Sequence, residues 1–173
     1  SVMVLRPADA EETTAAWKMA MENIYTPTAL ILSRQDVTSV PNTSAEGVKK
    51  GAYIVSKDEN PQVVMLASGS EVSTLMAGAE LLRAEGIRLQ IVSVPSEAIF
   101  RQQSKEYQAE VLPQGVTRFG LTAGLPCNLE GLVGEHGTVW GLNSFGFSAP
   151  YKVLDEKLGF TAQNVYEQVK KLL

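Results

Sequence analysis

The sequence predicts an α/β fold: a three-layer α/β/α sandwich with a mostly parallel sheet, preceded by a β-α-β fragment of another α/β domain. Three observations lead there. Apolar runs without alternation, as in Ala29 to Leu32 and within Gln62 to Ala67, suit strands covered on both faces, the pattern of parallel sheets. The stretches between such runs carry apolar residues at helical spacing, with cap residues at their ends. Between them, VTSVPNTSAEG, Val37 to Gly47, is rich in Ser, Thr, Pro, Asn and Gly and has no period, the composition of a linker. It divides the chain into residues 1–42 and 43–173. With 173 residues, 45% of them hydrophobic, there is enough chain for one ordinary domain and a piece of a second.

The elements follow in order. Val2 to Leu5 reads as a strand with no lead-in, as if the chain began partway through a unit. Arg6-Pro7-Ala8-Asp9 turns, and Asp9 with Glu12 three residues on has capping-box spacing. Ala16, Trp17, Met19, Ala20 and Ile24 give a helical stripe, which Thr26-Pro27 stops. The run Ala29 to Leu32 then makes residues 1–35 a β-α-β unit, its strands parallel through a right-handed crossover. Two strands do not make a stable sheet alone, so this unit is expected to be part of a larger one.

Beyond the linker, Ala52 to Val55 and Gln62 to Ala67 are strands, separated by the turn Asp58-Glu59-Asn60-Pro61. Ser68 and Glu71 repeat the capping-box spacing and open a helix whose buried stripe is Val72, Leu75, Met76, Ala79 and Leu82. Gly86 follows where a helix-ending glycine belongs. Arg88 to Val94 is a strand, Ser96 to Val111 is helical in one or two pieces, and Thr117 to Thr122 and Thr138 to Leu142 are further strands. Thr161 to Leu173 closes as a helix with Val165, Val169 and Leu172 on one face.

Composition narrows the function classes. A net charge of -4, from 19 acidic and 15 basic residues spread without blocks, argues against a nucleic-acid or anionic-membrane surface. No apolar run approaches the roughly 20 residues that span a bilayer, and the first residues lack the basic and apolar regions expected of a signal peptide. One cysteine, Cys127, permits no intrachain disulfide, so a cytoplasmic setting is expected. Cys127 has no identifiable partner for nucleophilic chemistry, and His136, the only histidine, lies in the turn Gly134 to Gly137. One histidine and one cysteine cannot close a metal tetrahedron, so both read as ordinary surface residues.

Three local features remain. Arg34 leaves the strand Ala29 to Leu32 at its carboxyl end, the edge where open α/β sheets bind ligands, and a guanidinium offers a planar fork of donors to phosphate or carboxylate. A salt bridge or a solvated strand end is the plainer reading of the same residue. ASGSEV, Ala67 to Val72, has free amides that suit an anion, yet it lacks the dinucleotide and P-loop glycine patterns and reads foremost as a capped helix start. In FGFSAP, Phe145 to Pro150, Ser148 suits an N-cap with Pro150 in the first helical turn.

Eight stretches in order resemble the C-terminal part of the transketolases. They are LRPAD (Leu5 to Asp9), PTALILSRQ (Pro27 to Gln35), KKGAYIVS (Lys49 to Ser56), ASGSEVS (Ala67 to Ser73), VSVPS (Val92 to Ser96), VLP (Val111 to Pro113), FGFSAP (Phe145 to Pro150) and GFTAQNV (Gly159 to Val165). The resemblance runs almost from end to end. It implies that residues 1–42 are the tail of a pyrimidine-binding domain and 43–173 the C-terminal domain. It also implies a homodimeric parent that moves a two-carbon ketol unit between ketose and aldose phosphates, with thiamine diphosphate and a divalent cation, magnesium or calcium. The arginine of the family's SRQ motif binds the substrate phosphate and matches Arg34. The family's metal motif, its activating glutamate and most of its active-site histidines match nothing here. No catalytic, cofactor-binding or metal-binding residue is therefore assigned, and this chain alone is expected to be inactive.

The resemblance is broken at Thr122 to Glu130, TAGLPCNLE, which lacks the acidic residue and following aromatics expected at that strand end. Two alternatives stand beside it. One is a free-standing ligand-binding or regulatory module whose turn at Ser68 to Glu71 holds a nucleotide or other anion. The other is a structural domain that stabilises a dimer.

Overall fold

A computed structural model describes all of residues 1–173. Strand β1 (Met3–Leu5), helix α1 (Ala10–Glu22) and strand β2 (Thr28–Leu30) form the expected β-α-β unit, the two strands pairing in parallel as a sheet of their own. Helix α2 (Ala45–Lys50) then leads into strand β3 (Tyr53–Lys57). Strands β4 (Val63–Ala67), β5 (Leu89–Ser93), β6 (Thr117–Leu121) and β7 (Thr138–Trp140) complete a five-stranded sheet in the order β3-β5-β4-β6-β7. Only β3 runs antiparallel to its neighbour, so the sheet is mostly parallel. The linking helices are α3 (Glu71–Ala84), α4 (Glu97–Arg101), α5 (Lys105–Val111) and α6 (Cys127–Val133), with α7 (Tyr151–Leu158) and α8 (Ala162–Leu172) at the end.

The continuous apolar run of β4 has its reason in two cores, one on each face of the sheet. Val63, Met65 and Ala67 face one cluster with Leu75, Ala79 and Leu82 of α3 and Val165 and Val169 of α8. Val64 and Leu66, alternating with them, face a second cluster with Phe100, Val111, Leu129 and Leu132 from α4 to α6. Strand alternation thus builds the three layers. Gly78 brings α3 and α8 close: a Cβ there would stand 2.5 Å from Val165 Cγ1.

Several elements differ from expectation. The strand expected over Ala29 to Leu32 with both faces covered stops at Leu30, with Ile31 and Leu32 exposed. Its only hydrogen-bonded neighbour is β1, so nothing shields its outer edge. Helix α2 begins inside the expected linker, and α6 arises where no element was assigned. The helical stretch Ser96 to Val111 breaks in two because Ser104 starts a fresh cap, its Oγ accepting from Tyr107 N at 3.2 Å. Ser148 caps nothing, and Pro150 itself is the residue before α7. No helix is long and apolar enough to cross a membrane.

Candidate functional site

Arg34 lies where the expectation put it, in the bend just past the carboxyl end of β2, and it is exposed. The ladder runs one bond beyond the strand, with Ile31 N donating to Leu5 O at 2.9 Å, and then releases the chain. Ser33 Oγ donates to Gln35 O at 3.1 Å, a short clasp around the arginine. The other arginines are engaged within the chain. Arg6, Arg83 and Arg101 pair with carboxylates, Arg88 donates to Asn60 O, and Arg118 donates to the carbonyls of Leu112, Pro113 and Leu132. Arg34 has neither an ion pair nor a side-chain hydrogen bond, so its guanidinium fork is free for a ligand.

The carboxyl end of β1 is built in the opposite way. Arg6 N donates to Pro95 O at 2.8 Å, and Gly69 N donates to Arg6 O at 3.1 Å, so the chain leaving β1 is stitched to the loops that follow β5 and β4. The Arg6 guanidinium sits on Glu71, with Nη2 at 2.9 and 2.8 Å from its two carboxylate oxygens. Glu71 Oε1 also accepts from Ala123 N at 2.7 Å. The capping box expected from Ser68 and Glu71 is therefore not formed, because the nearly buried carboxylate is taken by Arg6 and by the loop after β6. Gly69, at φ +65°, leaves the room: a Cβ there would stand 2.8 Å from Arg6 Cζ.

Asp9 and Glu12 do form a cap, and each does more. Asp9 Oδ1 accepts from Glu12 N at 3.0 Å, while Oδ2 accepts from Val40 N at 2.9 Å and from Thr43 Oγ1 at 2.8 Å. Glu12 is fully buried. Its Oε2 accepts from Ala8 N at 2.7 Å, and its Oε1 accepts from Tyr53 Oη at 2.7 Å and Ser93 Oγ at 2.6 Å. Burial pushes the carboxyl of Glu12 up from its ordinary range, against the pull of those three donors, with the nearby Asp9 adding a smaller push upward. The Tyr53 hydroxyl is pushed up as well, by burial and by the Glu12 carboxylate it serves. The same region joins one hydrophobic core, in which Leu5, Ala8 and Ala16 pack with Val40, Val48, Tyr53 and Leu75.

This hub was invisible in the sequence, where Glu12 shows only the cap spacing. Its partners Tyr53 and Ser93 stand 41 and 81 residues away, and no local pattern joins them. The remaining candidates are not drawn together. His136 is exposed in its turn, and Cys127 is exposed at the start of α6. No three His, Cys, Asp or Glu side chains converge as a set that could hold a metal ion.

Comparison with known proteins agrees with this architecture. A family model described as the transketolase-like C-terminal domain matches residues 51–161. The transketolase of Geobacillus stearothermophilus is 44% identical over 179 residues, an alignment that takes in 100% of this chain and 27% of that enzyme. Among solved structures, transketolase from Leishmania mexicana superposes with a TM-score of 0.93 at 38% identity, covering 99% of this chain and 25% of that one. Transketolase from Pichia stipitis, solved in complex with sedoheptulose-7-phosphate, gives a TM-score of 0.92 at 33% identity over 99% of this chain and 25% of that one. The chain thus spans about a quarter of the length of the relatives it matches. A match over all of the chain at this identity, together with the same fold, places it: the chain belongs to the transketolase family and corresponds to the C-terminal part of those enzymes.

Proposed function

We propose that this chain is the C-terminal part of an enzyme that transfers a two-carbon ketol unit between ketose and aldose phosphates, and that Arg34 binds the phosphate of the sugar. The observation that carries the residue assignment is the free guanidinium of Arg34 in Ser33-Arg34-Gln35, at the carboxyl edge of a parallel strand pair. The Pichia stipitis relative, solved with a sugar phosphate, supports the substrate class. Thiamine diphosphate, when bound in the parent, would supply the carbanion chemistry of ketol transfer. No three His, Cys, Asp or Glu side chains of this chain converge to hold the cation. The cofactor, the cation and the second subunit of a homodimer are assigned to the rest of the parent. What this chain contributes is orientation. A forked cation on the terminal phosphate holds the sugar along the channel and leaves its carbonyl end to the reacting centre.

The test is made in the full-length parent. A guanidinium forked onto phosphate forms charge-assisted hydrogen bonds, and Arg34→Gln is expected to lower kcat/KM for a phosphorylated acceptor on the order of 10- to 150-fold. An acceptor without phosphate should change little, and Arg34→Lys should fall between, keeping the charge and losing the fork. Equal losses for phosphorylated and unphosphorylated acceptors, with the protein folded, would make Arg34 a structural residue.

A further inference from the structure

The carbonyl of Leu5 and the amide of Arg6 belong to one peptide unit, and each bridges to a different part of the molecule. Leu5 O accepts from Ile31 N at 2.9 Å, the last rung of the β1–β2 ladder before Arg34, and Arg6 N donates to Pro95 O at 2.8 Å, in the loop after β5. A peptide unit is planar and stiff, so the end of β2 is tied to that loop through a single plate. The loop is itself fixed on both sides of Pro95. Val94 N donates to Ala67 O at 2.8 Å, and Ser96 N donates to Gly51 O at 2.9 Å. Arg34 lies only three residues beyond the rung at Ile31.

The plate could still swing about the bonds that flank it, and further contacts of Arg6 prevent this. Arg6 O accepts from Gly69 N at 3.1 Å, and its Nη1 donates to Ser68 O at 2.5 Å. Its Nη2 pairs with Glu71, which also accepts from Ala123 N at 2.7 Å. Arg6 is thus held at once by the loops after β4, β5 and β6, which leave the parallel strands at one edge. All of these bonds lie within the chain, so they hold whatever the rest of the parent places around β2. Such a joint matters for a forked ligand contact. Two parallel hydrogen bonds tolerate little displacement, and a misplacement of about 1 Å can cost on the order of a hundredfold in rate.

We propose that Arg6, clamped by Glu71, is a positioning residue for the substrate phosphate: it acts through Arg34, by fixing the end of β2 from which Arg34 reaches the sugar. The role rests on the reading of Arg34 as the phosphate ligand. It gives the sheet domain a part in substrate binding, as the frame against which that arginine is aimed.

Kinetics of the full-length parent test it in a double-mutant cycle, with an aldose acceptor that carries a phosphate and one that lacks it. Arg6→Met/Glu71→Gln removes both charges, so that neither is stranded, and keeps an acceptor for Ala123 N. It should raise KM for the phosphorylated acceptor about three- to tenfold with kcat unchanged, while kcat/KM for the other acceptor changes less than about twofold. In the Arg34→Gln background the same replacement should change either acceptor less than about twofold, because no phosphate ligand is left to aim. Gly69→Ala keeps both charges and places a Cβ 2.8 Å from Arg6 Cζ, which displaces the guanidinium. It should reproduce the selective rise in KM at about two- to fourfold, and it decides the question if the double replacement does not fold. Arg6→Lys, which retains the ion pair, should bring KM back to within about twofold of the unsubstituted enzyme. Equal effects on both acceptors, no effect on either, or a selective effect that persists undiminished after Arg34→Gln would each overturn the positioning role. Arg34→Gln alone separates the two assignments: if it slows both acceptors equally, the phosphate reading on which the role rests is itself overturned.

Discussion

The carboxyl ends of β1 and β2 lie side by side in one parallel pair, yet their charges have opposite fates. Past β1, Arg6, Asp9 and Glu12 are consumed by partners from distant segments, and Asp9 and Glu12 are buried. Past β2, Arg34 stands exposed and unpaired. The contrast separates two uses of charge. A buried ion must be satisfied on every side, which fixes the segments that satisfy it and leaves nothing for a ligand. An exposed guanidinium costs the fold little and leaves its donors unpaired within the chain. LRPAD holds the N-terminal unit to the sheet domain, whereas Arg34 of SRQ has no partner within the chain.

The contrast is broken most directly at Glu12. Glu12→Ala strands three donors, on Ala8, Tyr53 and Ser93, in a site closed to water, and should cost about 3 to 5 kcal/mol in urea unfolding. A loss below about 1 kcal/mol would mean that the hub does not hold the two parts together.

A smaller effect sharpens the same point through pH. The folded-state pKa of Glu12 lies above its unfolded value, so folding takes up a proton between the two. Its contribution is therefore most favourable below the unfolded value of about 4.3 and declines as pH rises towards the folded one. Glu12→Gln, which cannot titrate, should remove that decline from a plot of unfolding free energy against pH. An unchanged slope in this variant would assign the decline to other groups.

The smallest effect is expected at the other end. Arg34→Gln should leave the unfolding free energy of this chain within about 0.5 kcal/mol, since the side chain has no partner to lose. A larger loss would show that Arg34 holds structure, contrary to the role proposed for it.

How far the sequence foretold this arrangement depended on the range of the interaction. The β-α-β unit, the strand at β4 and the helices α3 and α8 were legible because apolar spacing is a local signal that the two cores then use. Helix α6 was not, because its short stretch with Gly131 carries too few apolar positions to show a period; what holds it is the docking of Leu129, Leu132 and Val133 into the second core. The two S/D-x-x-E spacings looked alike, yet Asp9–Glu12 caps its helix while Glu71 is captured by an arginine 65 residues away. Linker composition at Val37 to Gly47 likewise hid the burial of Val40 and its bond to Asp9. Arg34 was marked out as a candidate by motif resemblance, and its freedom from partners was visible only in three dimensions.

The N-terminal β-α-β unit and the sheet domain share one core and one buried carboxylate, and should therefore unfold as one body. The chain carries a reporter in each: Trp17 on α1 and Trp140 on β7, its only tryptophans. Urea unfolding is followed by fluorescence in Trp140→Phe, which leaves Trp17, and in Trp17→Phe, which leaves Trp140, each beside far-ultraviolet circular dichroism of the same variant. Within each variant the fluorescence and dichroism transitions should coincide in midpoint and slope. A Trp17 transition complete before most of the dichroism is lost would show that the N-terminal unit detaches on its own, and would contradict the shared core.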